Sequence, residues 1–172
     1  MKNVVKGKVL WKFGNDFNAD LIVPSEYMLG EDPEVLAKVC LADYDPEFSK
    51  RVTPSDILIA GQNFGYGHPH PAGLLAFLGL EIGILIAESF APAWYRGAIS
   101  AAFPVLTCPG ITKKADVGHQ LETNLKTGKV KNLSTGDTIN AEPIHPILME
   151  IIDAGGMPAY AEMRLKVGGL HK

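Results

Sequence analysis

With 172 residues, 47% hydrophobic and 20% charged, the chain suits one domain, spanning residues 1–172, with a substantial core. Its 16 basic and 19 acidic residues leave a formal charge of −3, too weak a field to attract nucleic acid or an anionic membrane surface. Two cysteines, Cys40 and Cys108, can build neither a disulfide framework nor a complete cysteine metal site. The longest apolar run, Gly73 to Leu80, meets Glu81 far short of a membrane span. The segment Met1 to Gly7 carries no apolar signal core, so the expected location is cytoplasmic.

Val4 to Phe13 reads as a strand that runs into the polar turn Gly14 to Asp20. Leu21-Ile22-Val23 is a short apolar burst closed by Pro24. Asp32-Pro33-Glu34 predicts a helix start, with a capping carboxylate, Pro in the first turn and an acid at the positive end of the dipole. Leu36, Val39 and Cys40 supply its apolar stripe. Ile57-Leu58-Ile59-Ala60 and Ile82 to Ala87 are apolar on both faces, as central strands covered by helices are. Between them stand the Gly-rich segment Gly61 to Pro71 and a helical run, Ala72 to Leu78. This is a βαβ unit whose functional edge lies beyond the first strand's carboxyl end. Ser89 to Ala102 reads as the next helix, and Val105-Leu106 as another buried strand.

Beyond residue 118 short alternating segments follow: Leu121 to Leu125, Val130 to Leu133 and Thr138 to Ala141. Thr127-Gly128 and Thr135-Gly136 between them are hairpin signals. Pro146 to Ile152 predicts an amphipathic helix stopped by Gly155-Gly156. The tail 166–172 reads as flexible.

Several of these segments, in this order, resemble the small subunit of 3-isopropylmalate dehydratase, which is similar to the swivelling domain of aconitase. The resemblance rests on Gly7-Lys8-Val9 through Phe13-Gly14, on Asn18 to Pro24, and on Asp45-Pro46-Glu47-Phe48. It continues through Asp56 to Gly65, Ile86 to Ala91, Tyr95 to Ile99, Leu125 to Gly128 and Ile151 to Gly156, covering roughly residues 5 to 165. It implies a three-layer α/β/α domain with a partly barrel-like mixed sheet. It also implies a separate large subunit bearing a [4Fe-4S] cluster, since two cysteines cannot hold one here. The implied reaction is dehydration and rehydration of a 2-hydroxy acid, the small subunit supplying the base that removes a carbon-bound proton.

The divergence from that family is concentrated in one loop. After Phe-Gly the family continues Cys-Gly-Ser-Ser-Arg-Glu, its serine serving as base and its arginine gripping a substrate carboxylate. Here the aligned residues are Tyr66-Gly67-His68-Pro69-His70-Pro71. Neither histidine copies the bidentate fork of an arginine. The family's Asp/Asn-Thr-Asp turn is Asn18-Ala19-Asp20, the arginine after Ser-Phe-Ala is Pro92, and the asparagine after Tyr-Arg is Gly97.

Three readings of His68 and His70 stand side by side. In one, His68 is the general base, at which imidazole works well near neutral pH, and His70 faces a carboxylate at a helix start. Pro69 and Pro71 stiffen the loop and remove two amide donors. In the second, His-x-His binds a metal, although the sequence offers no third ligand. In the third the loop has drifted and the histidines sit at a surface or subunit seam. Tyr66 and Gly67 line the pocket beside them, while Asp20 and Arg96 support it. Asp20 also reads as a turn former and Arg96 as a helix arginine paired with a local acid. Cys108, His119 and His145 read as structural, and Glu26 in Ser25 to Met28 would repel a second carboxylate.

The expected protein is therefore an aconitase-type hydro-lyase small subunit with specificity altered away from isopropylmalate. Its substrate would be a small organic acid whose remote group is neutral, aromatic or singly charged. This chain would hold no metal or cofactor, and a homo-oligomer is possible in isolation. The alternative is a scaffold or regulatory subunit that has kept the fold and lost the chemistry.

Overall fold

The structure is a computed structural model describing residues 3–68 and 70–167. Seven strands form one curled, half-barrel sheet in the order β4-β3-β2-β1-β5-β6-β7. They are β1 (Val4–Phe13), β2 (Ile57–Ala60), β3 (Ile84–Ala87), β4 (Val105–Thr107), β5 (Gln120–Asn124), β6 (Lys129–Asn132) and β7 (Thr138–Asn140). The helices are α1 (Pro33–Lys38), α2 (Phe48–Arg51), α3 (Pro71–Gly79), α4 (Pro92–Ser100), α5 (Ile111–Lys114), α6 (Pro146–Ala154) and α7 (Met157–Val167).

The long first strand is the pivot of the sheet. Its first half, Val4 to Lys8, pairs antiparallel with β5. Its second half pairs parallel with β2, from Val9 opposite Ile57 to Phe13 opposite Ala60, after a register shift between Val9 and Trp11. β2, β3 and β4 continue the parallel half, and two hairpins build the antiparallel half. Every residue of β2 and β3 is buried, because helices cover both faces there. α1 packs on α3, α4 on α6, and α5 directly on β2 and β3. The result is the layered, partly barrel-like α/β fold that the family resemblance implies.

Local chemistry sets the helix boundaries. Asp32 Oδ1 accepts a hydrogen bond from Glu34 N at 2.9 Å and caps α1. Pro33, Pro71, Pro92 and Pro146 each occupy a first turn, where the missing N–H costs nothing. His145 caps α6, and Gly155, in the left-handed region at φ 94°, ends it. Within the antiparallel half, buried Asn132 donates to Lys114 O at 2.8 Å and accepts from Ser134 N at 3.0 Å and Thr135 N at 3.2 Å. His119 Nδ1 lies 3.0 Å from the same amide.

Two expectations need correction. The helix read over Ser89 to Ala102 spans only Pro92 to Ser100. Ser89 to Ala91 are tied to Phe64 instead, through Phe64 N to Ser89 O at 3.0 Å and Ala91 N to Phe64 O at 2.9 Å. Ala19–Leu21, where the apolar burst begins, makes a single 3-10 turn capped by Asn18. After Gly156 the chain enters α7, so Lys166 and Val167 are helical, while the rest of the expected flexible tail, 168–172, lies outside the described residues.

Candidate active site

Because β1 to β4 run parallel, the segments leaving their carboxyl ends share one edge of the sheet, where ligands of open α/β sheets collect. The loop after β2 is fastened to its neighbours on both sides. Towards the β1 turn, Gln62 N donates to Asn15 Oδ1 at 2.9 Å, Gly65 N to Phe17 O at 2.8 Å, and Ala19 N to Tyr66 O at 2.8 Å. Towards the segment after β3, Asn63 N donates to Ser89 Oγ at 2.8 Å, and Phe64 forms a bridge with Phe90. Asn63 Nδ2 also reaches Asp16 Oδ1 at 2.8 Å.

Phe64 anchors the loop from below. Its fully buried ring stacks on Phe17 at 5.4 Å and meets Trp94 edge-on at 4.9 Å and Phe13 at 5.2 Å. Gly65 and Gly67 take the positive φ angles 85° and 101° that turn the chain over this cluster. A Cβ at Gly65 would stand 2.4 Å from Trp94 Cγ, and one at Gly67 would stand 2.2 Å from Asn18 Oδ1.

This framework delivers His68 to Asp20. The Asp20 carboxylate accepts the His68 N–H at 3.2 Å through Oδ1, and its Oδ2 lies 3.4 Å from His68 Nδ1. Asn18 Oδ1 fixes Asp20 in turn by accepting its N–H at 2.8 Å. The Asp20 side chain is 18% exposed and that of His68 83%, so the pair has one sheltered and one open member. His70 N donates to His68 O at 2.8 Å, and the two rings sit 6.0 Å apart. His70 occupies the N-cap of α3 without spending its ring on the cap. Tyr66 is 43% exposed beside the β1 turn. Pro69, expected to stiffen the loop, lies outside the described residues.

Of the expected site residues, Asp20, Tyr66, Gly67, His68 and His70 come together. Arg96 does not join them. It stands exposed on α4 in a separate groove with Glu88, Tyr95 and Glu142, and its guanidinium pairs with no acid among the described residues. Sequence reasoning did not single out Asp16, Asn63 and Ser89, which latch the loop; the Gln62-Asn63-Phe64-Gly65 run was the available signal.

Among the described residues, no three of the His, Cys, Asp and Glu side chains stand close enough to hold a metal ion. The cysteines do not suit an iron-sulfur cluster: both are buried and free, one after α1 and one after β4. Burial pushes the Cys40 thiol up. Burial, helped by the Glu88 carboxylate, pushes Cys108 up to about 12, whereas cluster ligands must be thiolates. Burial and then Glu142 likewise raise Tyr95.

No protein-family model matches the chain. The isopropylmalate/citramalate isomerase small subunit of Methanocaldococcus jannaschii is 41% identical over 165 residues, 96% of this chain and 98% of that protein. The 3-isopropylmalate dehydratase small subunit of Methanosarcina acetivorans is 40% identical over 88% of this chain and 93% of its own length. The crystal structure of a 3-isopropylmalate dehydratase from Methanocaldococcus jannaschii superposes with a TM-score of 0.88 at 31% identity, covering 96% of this chain and 98% of that one. Likeness in sequence and in fold over nearly the whole length places the chain in the 3-isopropylmalate dehydratase small-subunit family.

Proposed function

We propose that the chain is the small subunit of an aconitase-type hydro-lyase that uses His68 as its base on a 2-hydroxy acid other than isopropylmalate. Its relatives are named as dehydratase or isomerase small subunits, which supports both the reaction family and a large-subunit partner. The [4Fe-4S] cluster expected of that partnership belongs to the large subunit, and the work assigned to this chain is proton movement and orientation.

The observation that carries this reading is the pairing of Asp20 with His68. With Nδ1–H directed at the carboxylate, His68 keeps its lone pair on Nε2, the nitrogen that takes the substrate's carbon-bound proton. Asp20 is then a positioning residue: it fixes the loop through the backbone N–H and orients the ring through Nδ1. His70 and the backbone at Gly67 face the acid's polar end. The open side of His68 suits a site that closes when the large subunit docks. Among the described residues no arginine pairs with Asp20 or His68, so this chain offers no bidentate fork for a second carboxylate at the remote end of the substrate.

The test is reconstitution. The chain is co-expressed anaerobically with the large subunit, and the complex is assayed for solvent-deuterium exchange into a panel of 2-hydroxy mono- and dicarboxylic acids. Exchange into a monocarboxylic acid that is lost in His68→Ala supports the reading. A complex that assembles fully, shows no exchange and is indifferent to His68→Ala points to a scaffold or regulatory subunit.

A further inference from the structure

The separate groove that holds Arg96 opens where β3 and β4 end. Its volume is about 560 Å³, and its lining places one guanidinium, Arg96, with two carboxylates, Glu88 and Glu142, and the rings of Phe90 and Tyr95. The sheet brings these residues together. Glu88 follows β3, and Glu142 N donates to Thr107 O at 2.8 Å, tying the chain after β7 to the end of β4. Glu88 is engaged, its Oε1 accepting from the Thr112 hydroxyl. Arg96 and Glu142 are exposed, and neither forms an ion pair among the described residues. Burial and then the Glu142 carboxylate raise the Tyr95 phenol, so that charge is felt at the groove wall. The Phe90 and Tyr95 rings stand 5.8 Å apart and form its apolar side.

We propose that this groove binds a free α-amino acid with an apolar side chain, Arg96 taking its carboxylate, Glu142 its ammonium, and the Phe90 and Tyr95 rings its side chain. The proposal is independent of the hydro-lyase reading. Charge selects the ligand class. With Glu88 held by Thr112, one free charge of each sign remains, so Glu142 repels a lone anion and Arg96 a lone cation. A zwitterion satisfies both, and the planar fork of Arg96 suits a carboxylate. The groove also touches the loop of the candidate site. Ser89 lines it and accepts the Asn63 N–H at 2.8 Å, and Phe90 bridges Phe64. An occupied groove therefore bears on the segment that carries His68, which makes the amino acid an effector of that site.

Backbone amide and arginine side-chain NMR signals of the full chain are followed during titration with L-phenylalanine and, separately, with L-valine. Saturable shifts at Tyr95, Arg96, Thr107 and Glu142 are expected with both, together with smaller shifts at Asn63 and His68. Arg96→Gln and Glu142→Gln are exposed substitutions that leave the core untouched. Each is expected to weaken binding about tenfold or more, the effect of losing one charge-assisted pair. 3-Phenylpropanoate lacks the ammonium and 2-phenylethylamine lacks the carboxylate. Both should bind about tenfold more weakly than L-phenylalanine, or weaker still.

No shift at millimolar concentrations of either amino acid would overturn the proposal. So would shifts that survive both substitutions, or equal shifts with the one-charge analogues. Loss of large-subunit binding in Arg96→Gln, without any response to the amino acids, would overturn it too and mark a protein contact instead. Shifts confined to the groove, with Asn63 and His68 unmoved, would overturn the link to the loop.

Discussion

The Asp20 carboxylate lies 3.4 Å from His68 Nδ1 and also accepts that residue's backbone N–H, although 48 residues separate the two in the chain. One carboxylate therefore orients both the ring and the backbone of the proposed base. Asp20→Asn keeps an acceptor for the N–H and loses the charge beside the ring. It is expected to leave Tm within about 2 °C while lowering kcat of the reconstituted complex about 10- to 100-fold, with KM little changed. Asp20→Ala should lower kcat and also loosen the loop. Equal kcat for the Asn variant and the parent would show that the charge is not used.

Gly65→Ala is expected to cost about 3 kcal/mol, combining left-handed strain with a clash against the indole. Its Cβ would stand 2.4 Å from Trp94 Cγ at φ 85°. Gly118→Ala is the control: φ there is 89° but a Cβ meets nothing within 4 Å, so about 1 kcal/mol from strain alone is expected. Urea unfolding of the two variants measures the difference.

Asn132→Ala removes the groups that pair with Lys114 O, Ser134 N and Thr135 N. Three backbone groups in a sheltered corner lose their partners, so a loss of about 2 kcal/mol or more is expected in urea unfolding. A change below about 0.5 kcal/mol would mean that water replaces the amide there.

Stability should fall in alkali because of the buried thiols. Cys108 is held near 12 in the fold, against an ordinary value near 9. Between those pH values the unfolded thiol has released its proton and the folded one has not. The unfolded state then binds fewer protons, and stability declines with rising pH by up to about 1.4 kcal/mol per unit for this group. The decline is absent below about pH 8.5, the ordinary thiol range. Urea midpoints from pH 8 to 11 should fall less steeply for Cys108→Ala than for the parent chain, and neither cysteine should react with a thiol reagent at pH 8 until the chain unfolds.

How much of this was legible in the sequence depends on the range of the interactions. The Asp32-Pro33 cap, the strands of β2 and β3 and the Thr127-Gly128 hairpin follow from local chemistry, and each stands where the residues put it. Helix α7 was missed because Gly155-Gly156 ends α6 and only a turn separates the two helices; the new helix carries charged and apolar residues without a stripe. Ser89 looked helical from composition, but a hydrogen bond to Phe64, 25 positions earlier, holds it outside α4. The candidate loop was legible as a departure from the family pattern. Its union with Asp20 needed β1 and β2 to be neighbours; Arg96 came from the Tyr95-Arg96-Gly97 run that matches the family, and it lines a groove with Glu88, Tyr95 and Glu142.

The most direct test of the central claim is chemical rescue of the base. In the reconstituted complex, His68→Ala should lower solvent-deuterium exchange into the responding 2-hydroxy acid by about 10² or more. Added imidazole should restore part of the rate in proportion to its concentration, with complex assembly unchanged. Exchange that survives His68→Ala at the parent rate would contradict the account and place the base elsewhere.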